Sequence, residues 1–284
     1  MSLFPKMQVE GVAEWLAQIA TECLIDEARL SPKPGLVDSR GSGAHHDLSL
    51  VLMERSAHSL TPMFQALAQQ SWRRPADIAL RQIIGRLGRE GEQQMMVVTR
   101  GVNTHRGAIW ALGLLVSAVA MLGGNGRAQQ IVTIAAELAK LPDEAATKIF
   151  SKGSCVTNRY RVPGAREEAQ QGFPHIMQRA LPQLRLSRLN SGETHARLDA
   201  LMAIMTSLTD TCVLSRAGME GLNIMQRGAR AVLRAGGTAH PAGQAALAML
   251  DSHMLALNAS PGGAADLLAA TLFLDRVESL YLKH

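Results

Sequence analysis

Apolar residues recur at intervals of three and four along almost the whole chain, and sustained alternation with a period of two is nearly absent. A 3.6-residue period places apolar groups on one helix face, whereas a half-buried strand needs a period of two. One stripe is Val12, Trp15, Leu16, Ile19, Cys23 and Leu24, followed by Leu48, Leu52, Ser56 and Leu60, then by Met63, Phe64 and Leu67. Ile131 to Leu141, Leu198 to Cys212, Leu222 to Val232, Leu247 to Leu257 and Leu267 to Leu280 continue it. Ala and Leu abound and both favour helix. The pattern predicts an all-α fold of roughly ten helices in one multi-helix domain spanning the chain.

The breaks between stripes are marked by glycine, proline and polar residues. They fall at Ser31 to Gly35, Thr61-Pro62, Trp72 to Pro75, Gly123 to Gly126, Pro142, Val162 to Gly164, Leu189 to Gly192, Gly236-Gly237 and Ser260 to Gly263. Thr61 before Pro62, and Ser260 before Pro261, read as N-caps with proline at the first helical position. Ser151 to Arg166 reads as the most loop-like stretch.

Composition narrows the partners. Apolar residues are 47% of the chain, enough for a substantial core, and aromatics only 4%. The net charge of +5 suits an anionic small molecule, while scattered basic residues and scarce aromatics argue against nucleic acid. Three widely spaced cysteines, Cys23, Cys155 and Cys212, suit a reduced cytoplasmic protein with each thiol in or near the core. No signal peptide is evident. The longest apolar run, Ala108 to Leu122, is short for a membrane span and reads as a buried helix.

Directly before that run, Gly101-Val102-Asn103-Thr104-His105-Arg106-Gly107 packs an amide, a hydroxyl, an imidazole and a guanidinium between two glycines. Helix starts present free N–H groups and partial positive charge, which suit anions; an elaborate helix cap is the alternative. Ser31-Pro32-Lys33-Pro34-Gly35-Leu36-Val37-Asp38 holds Lys33 on a stiff loop, either for a phosphate or simply as a solvated lysine after a helix stop. In Gly43-Ala44-His45-His46-Asp47, Asp47 falls near a first helical turn. There it is a capping charge or, with His45, a group that binds metal-associated water or moves a proton.

Other segments leave similar choices. Gly85, Gly88 and Gly91 lack a preceding strand, so a dinucleotide fingerprint is unsupported, and no P-loop occurs. Glu92 could face the same pocket as Gly101 to Gly107, with Glu90 on a solvated face. Arg166 could grip a phosphate or form an intrahelical ion pair. Asp210 reads as a carboxylate on the flank of a strongly apolar helix. Asn258 to Asp266 is a second glycine-rich helix start whose N–H groups could cradle an anion, although a Ser260 cap explains much of it. Several such helix mouths suggest one site at converging N-termini.

These segments resemble the triphosphoribosyl-dephospho-coenzyme A synthase family. Ser31 to Asp38 is similar to its Ser-Pro-Lys-Pro-Gly-Leu-Val-Asp segment, Gly43 to Asp47 to Gly-Ala-His-x-Asp, Gly101 to Gly107 to Gly-Val-Asn-Thr-His-Lys-Gly, and Ser260 to Asp266 to Ser-Pro-Gly-Gly-x-x-Asp. The likeness runs from about Ala20 to Phe273, most of the chain. Arg106 replaces a lysine, Glu167 a glycine, and Cys212 an asparagine; with Gly41-Ser42-Gly43 and Leu48 these departures favour the malonate decarboxylase branch over citrate lyase.

The resemblance implies that ATP and 3′-dephospho-CoA give 2′-(5″-triphosphoribosyl)-3′-dephospho-CoA with release of adenine. This is glycosyl transfer, so no P-loop is required. It further implies Lys33 and Arg106 on phosphates, aided by N–H groups near Gly101 and Gly262. Gly35, His45, Asn103, Thr104, Arg166, Ser260, Gly262 and Gly263 would line the substrates. Asp47, Glu92 and Asp210, with Asp266, would hold Mg²⁺ or stabilise the cationic sugar, and Asp38 or His105 would accept the hydroxyl proton, or His105 would instead protonate adenine. The product would pass to a phosphoribosyl-dephospho-CoA transferase acting on an acyl carrier protein. Neither nucleic acid nor membrane is expected, and a homodimer is compatible with the sequence. The rival readings are a Mg²⁺-dependent helical ADP-ribosyl hydrolase and a non-catalytic nucleotide-binding regulator.

Overall fold

A computed structural model describes residues 9–145 and 152–282. The elements in chain order are α1 (Val9–Arg29), α2 (Leu50–Ser59), α3 (Thr61–Ser71), α4 (Ile78–Val98), α5 (Arg106–Met121), α6 (Ala128–Lys140), α7 (Lys152–Tyr160) and α8 (Ala165–Gln170). A π-helical turn, Ile176–Ala180, leads into α9 (Leu181–Met205), then α10 (Thr211–Arg234), α11 (Pro241–Ala256) and α12 (Gly262–Tyr281). Among the described residues there is no strand, only an isolated bridge between Asp38 and Gly41. The expected all-α class is what the chain adopts.

The long apolar run becomes α5, the axis of the molecule. Ala108, Ile109 and every residue from Ala111 to Ala120 are buried, because α1, α3, α4, α6, α8 and α12 pack around it. A helix apolar on all sides must be enclosed in this way. Gly123 and Gly124 close it by donating to Ala120 O at 3.0 Å and Val119 O at 2.9 Å. One buried cluster runs from Val12 on α1 to Val277 on α12. Each fully buried Leu or Ile in it contributes about 1.5–3 kcal/mol. Of the α4 glycines, Gly91 serves packing: a Cβ there would lie 2.2 Å from Met63 Sδ on α3.

Several local expectations are corrected. Thr61 is not a cap; its hydroxyl lies 2.8 Å from Thr21 Oγ1 on α1. The break expected at Leu189 to Gly192 is present, since Gly192 is non-helical (φ +76°) and splits α9 into two helical segments across a kink. Most of the presumed loop after Ser151 is α7 and α8, while Ser151 itself lies outside the described residues. Cys23 is buried as expected, but Cys155 and Cys212 are exposed. Among the described residues no helix is long and apolar enough to cross a membrane.

The end of α1, the loops before α2 and α5, and the first turns of α10 and α12 meet at one end of this bundle. The interactions that join them define the candidate site.

Candidate active site

The loop after α1 is fastened from several sides. Asp38, only 2% exposed, accepts from Lys33 N at 2.8 Å and Arg40 N at 2.8 Å, and pairs with the Arg40 guanidinium. Burial alone would raise the Asp38 carboxyl, but Arg40 and those N–H groups outweigh it and hold it below the usual carboxylate range. Arg40 Nη1 reaches Asp251 on α11 at 2.9 Å, and Asp251 accepts Gly35 N at 2.9 Å. Gly35 (φ +67°) must be glycine, since a Cβ would lie 2.4 Å from Ala259 O. The loop is thereby seated directly on the residues that precede α12.

Lys33 is neither solvated nor free for a phosphate. It is 1% exposed, with Nζ 2.5 Å from both Glu27 O and Glu27 Oε1 at the end of α1. The stiff loop delivers the ammonium into the bundle, where a buried carboxylate offsets its desolvation.

His45 links two separated motifs. Its Nε2 lies 2.8 Å from Ser260 Oγ, and its Nδ1 accepts from Arg216 Nη2 at 3.0 Å. Arg216 Nη1 also donates to Ala44 O at 2.8 Å. Because Arg216 can only donate, Nδ1 is an acceptor and Nε2 carries the proton toward Ser260. Burial, then Arg216, pushes the His45 pKa down to about 4, so the ring is neutral. Ser260 is therefore a partner of His45 and not the side-chain cap of α12. Asp47 is exposed, 3.7 Å from His45 Nδ1, and lies outside the first turn of α2, which Ser49 caps through Leu52 N.

Two helix mouths are filled by the protein's own carboxylates. Asp210 is not inside a helix; it is the N-cap of α10, with Oδ1 accepting Cys212 N at 2.8 Å and Val213 N at 3.2 Å. Its Oδ2 accepts Ala264 N at 2.9 Å, and Gly263 N–H bonds it too, so one buried carboxylate joins α10 to α12. Burial raises the Asp210 carboxyl despite these bonds. The N–H groups expected to be free at Gly262 and Gly263 are occupied: Gly262 N donates to Ser260 O at 2.9 Å. Asp266 similarly meets the first turn of α5, bonded by Ala108 N–H, and a Cβ on Gly107 would lie 2.1 Å from its Oδ2. Burial, then the charges of Glu27 and Asp210, pushes Asp266 well above the ordinary carboxyl value.

His105 sits beside this cluster, 2% exposed, at the head of α5. Ser56 Oγ on α2 lies 2.9 Å from His105 Nδ1 and 2.6 Å from Thr104 Oγ1. His105 Nε2 is buried and has no hydrogen-bond partner. Burial, then the Lys33 charge, lowers its pKa to about 4. Asn103 is exposed and accepts Arg106 N, the first residue of α5, at 3.2 Å. Arg106 pairs with Glu92 on α4, while its Nε makes no hydrogen bond. Glu90 pairs with Arg86 on the solvent face as expected. Arg166 lies exposed at the start of α8 beside Arg81, and Glu167 caps that helix by accepting Gly164 N at 2.9 Å.

Lys33, His45, His105, Asp210, Ser260 and Asp266 thus belong to one connected region. The four-carboxylate metal set is not assembled: Glu92 is paired with Arg106, Asp47 is exposed beside His45, and only Asp210 and Asp266 are neighbours. Among the described residues no three His, Cys, Asp or Glu side chains gather to hold a metal ion. Arg40, Asp251 and three further contributors carry no expectation from the sequence. Glu27 extends the buried stripe of α1 three residues past Leu24, and a carboxylate there is a legible signal. Ser56 was visible only as a hydroxyl on an apolar stripe. Arg216 carried no signal.

A profile of the family described as ATP:dephospho-CoA triphosphoribosyl transferase matches residues 13–284. A 2-(5″-triphosphoribosyl)-3′-dephosphocoenzyme-A synthase of Klebsiella pneumoniae is 72% identical over 272 residues, covering 95% of this chain and 97% of its own. A protein of Stutzerimonas stutzeri (strain A1501), named "Probable 2-(5″-triphosphoribosyl)-3′-dephosphocoenzyme-A synthase", is 59% identical over 281 residues, covering 98% and 96%. A crystal structure from Archaeoglobus fulgidus, described as a candidate triphosphoribosyl-dephospho-CoA synthase, superposes with a TM-score of 0.54 over 78% of this chain and 97% of that one. At 20% identity the last comparison speaks to the fold alone.

Proposed function

The chain belongs to the ATP:dephospho-CoA triphosphoribosyl transferase family, and from that premise we propose that its joined helix mouths carry out the transfer. The protein is a triphosphoribosyl-dephospho-CoA synthase, a transferase that uses ATP and 3′-dephospho-CoA. Neither the hydrolase nor the regulator reading has support from its relatives.

The observation that carries the placement is the pair of opposed titrations at the head of α5. His105 is held neutral, with Nε2 unpartnered, while Asp266 is biased toward keeping its proton. Titratable neighbours pushed in opposite directions divide acid and base work. In the transfer the 2′-hydroxyl of dephospho-CoA attacks the anomeric carbon of the ATP ribose. A C–O bond forms, the C–N bond to adenine breaks, and positive charge builds on the sugar between the two events. His105 Nε2 takes the hydroxyl proton, Ser56 orients the imidazole through Nδ1, and Asp266 supplies a proton to departing adenine. The resulting Asp266 carboxylate stabilises the cationic ring. Asp38, occupied by the Lys33 and Arg40 N–H groups and the Arg40 guanidinium, keeps the loop in place.

Magnesium bound with the triphosphate would neutralise phosphate charge. An ion completed by phosphate oxygens and water needs only one or two carboxylates, and Asp47, free of backbone and arginine partners, suits that task. The product would pass to a phosphoribosyl-dephospho-CoA transferase acting on an acyl carrier protein. The sequence departures favour that of malonate decarboxylase.

Mass spectrometry after incubating purified protein with ATP, Mg²⁺ and 3′-dephospho-CoA tests the reading. It requires a product carrying the triphosphoribosyl group and adenine release that depends on dephospho-CoA. Adenine release from ATP alone, at the same rate, would identify a hydrolase instead.

A further inference from the structure

The two substrates bring a triphosphate and a diphosphate, and the cations and N–H groups expected to meet them are engaged elsewhere. Lys33 is buried against Glu27, the mouth of α12 is filled by Asp210, and that of α5 by Asp266. Arg106, at the first turn of α5, is paired with Glu92.

A second basic group continues from it along the seam of α4 and α5. On α4, Arg81, Gly85, Arg89 and Glu92 share one face at helical spacing. On α5, Trp110 lies one turn beyond Arg106, about 6 Å along the axis. The Arg81 guanidinium lies over the Trp110 ring, 5.3 Å from its centroid. Trp110 Nε1 donates to Ala165 O at 3.1 Å, which pins the ring to α8, and exposed Arg166 follows Ala165 close enough to repel the Arg81 charge. Asp143 is the carboxylate within the group, with Oδ2 2.7 Å from Arg89 Nη1 and 3.4 Å from Arg81 Nη1. Gly85 makes room for it, since a Cβ there would lie 2.0 Å from Asp143 Oδ2.

The group is over-supplied with positive charge, and Asp143 Oδ1, its one further buried acceptor, bonds none of the guanidinium groups. Three guanidinium groups face one carboxylate. Arg81 is 6% exposed, yet its Nε and Nη1 make no hydrogen bond. Buried guanidinium nitrogens left unbonded are costly, and such exceptions call for a missing partner. A phosphate chain supplies oxygen acceptors in the fork geometry that arginine matches.

We infer that Arg81, Arg89 and Arg166, floored by Trp110, form a subsite for a phosphate chain of one of the two substrates. The inference rests on the family's substrates for the source of the chain and on the unpaired guanidinium atoms for its location. The triphosphate of ATP and the diphosphate of dephospho-CoA share this chemistry.

The test uses the full chain with Arg89→Gln and Arg166→Gln, both partly or fully exposed, and Arg81→Lys as a third variant. Inorganic tripolyphosphate binding is measured by calorimetry, and KM for each substrate by product formation. The expected result is tripolyphosphate affinity at least tenfold weaker in the Arg89 and Arg166 variants. KM for one substrate rises at least tenfold while kcat stays within about threefold of wild type. A rise in KM for ATP assigns the triphosphate; a rise for dephospho-CoA assigns the diphosphate. Unchanged tripolyphosphate affinity in both variants overturns the inference. The calorimetric arm needs no turnover, so it stands apart from whether the wild-type protein forms the proposed product.

Discussion

His45 Nε2 and Ser260 Oγ, 215 residues apart in the chain, lie 2.8 Å from each other. That bond ties the loop before α2 to the segment that starts α12, with Arg216 fixing the far side of the ring. Ser260→Ala removes the acceptor for a neutral N–H and should cost about 1 kcal/mol of stability. Arg216→Met should cost turnover more than Ser260→Ala does, because it releases His45 Nδ1 and Ala44 O together. Denaturant melts and steady-state rates check this; equal activity in Arg216→Met and wild type would remove His45 from the site.

His105→Gln should abolish adenine release, whereas Ser56→Ala should lower kcat by about ten- to a hundredfold with KM little changed, because Ser56 acts by orienting the imidazole. The His105 pKa of about 4 sets where protonation silences the base. The acid limb of kcat/KM should therefore fall near pH 4 and not near 6.5, as read from a pH–rate profile over the range in which the fold survives.

Lys33→Met should destabilise the fold by about 3–5 kcal/mol, since it leaves Glu27 buried without its counter-charge. Glu27→Gln combined with Lys33→Met should cost less than the sum of the two single changes. A double-mutant cycle by chemical denaturation measures this coupling. Strict additivity would mean the two groups do not stabilise each other.

Asp266→Asn should abolish turnover while flattening the dependence of stability on pH. The folded-state pKa of Asp266 is raised, so the unfolded chain releases this proton first as pH increases. The stability associated with the protonated carboxyl is complete below the unfolded value and is lost as pH rises through the folded one. Thermal melts between pH 4 and 8 should show the variant gaining on wild type as pH rises. Parallel curves would argue against a raised Asp266.

What the sequence determined by itself was the all-helical class, the buried run that became α5, and the four polar segments that supply most of the site. Those features depend on neighbours three or four residues away and on local glycine and proline, so they are written in the order of residues. The partner of each charged group was settled only by the tertiary structure. Lys33 found Glu27 across a turn, Asp210 capped two helices at once, and Arg81 met Asp143 and Trp110 from three different elements. Burial sets whether a charge must be paired, kept neutral or left for a ligand, and burial is a property of the packed bundle that no local spacing encodes.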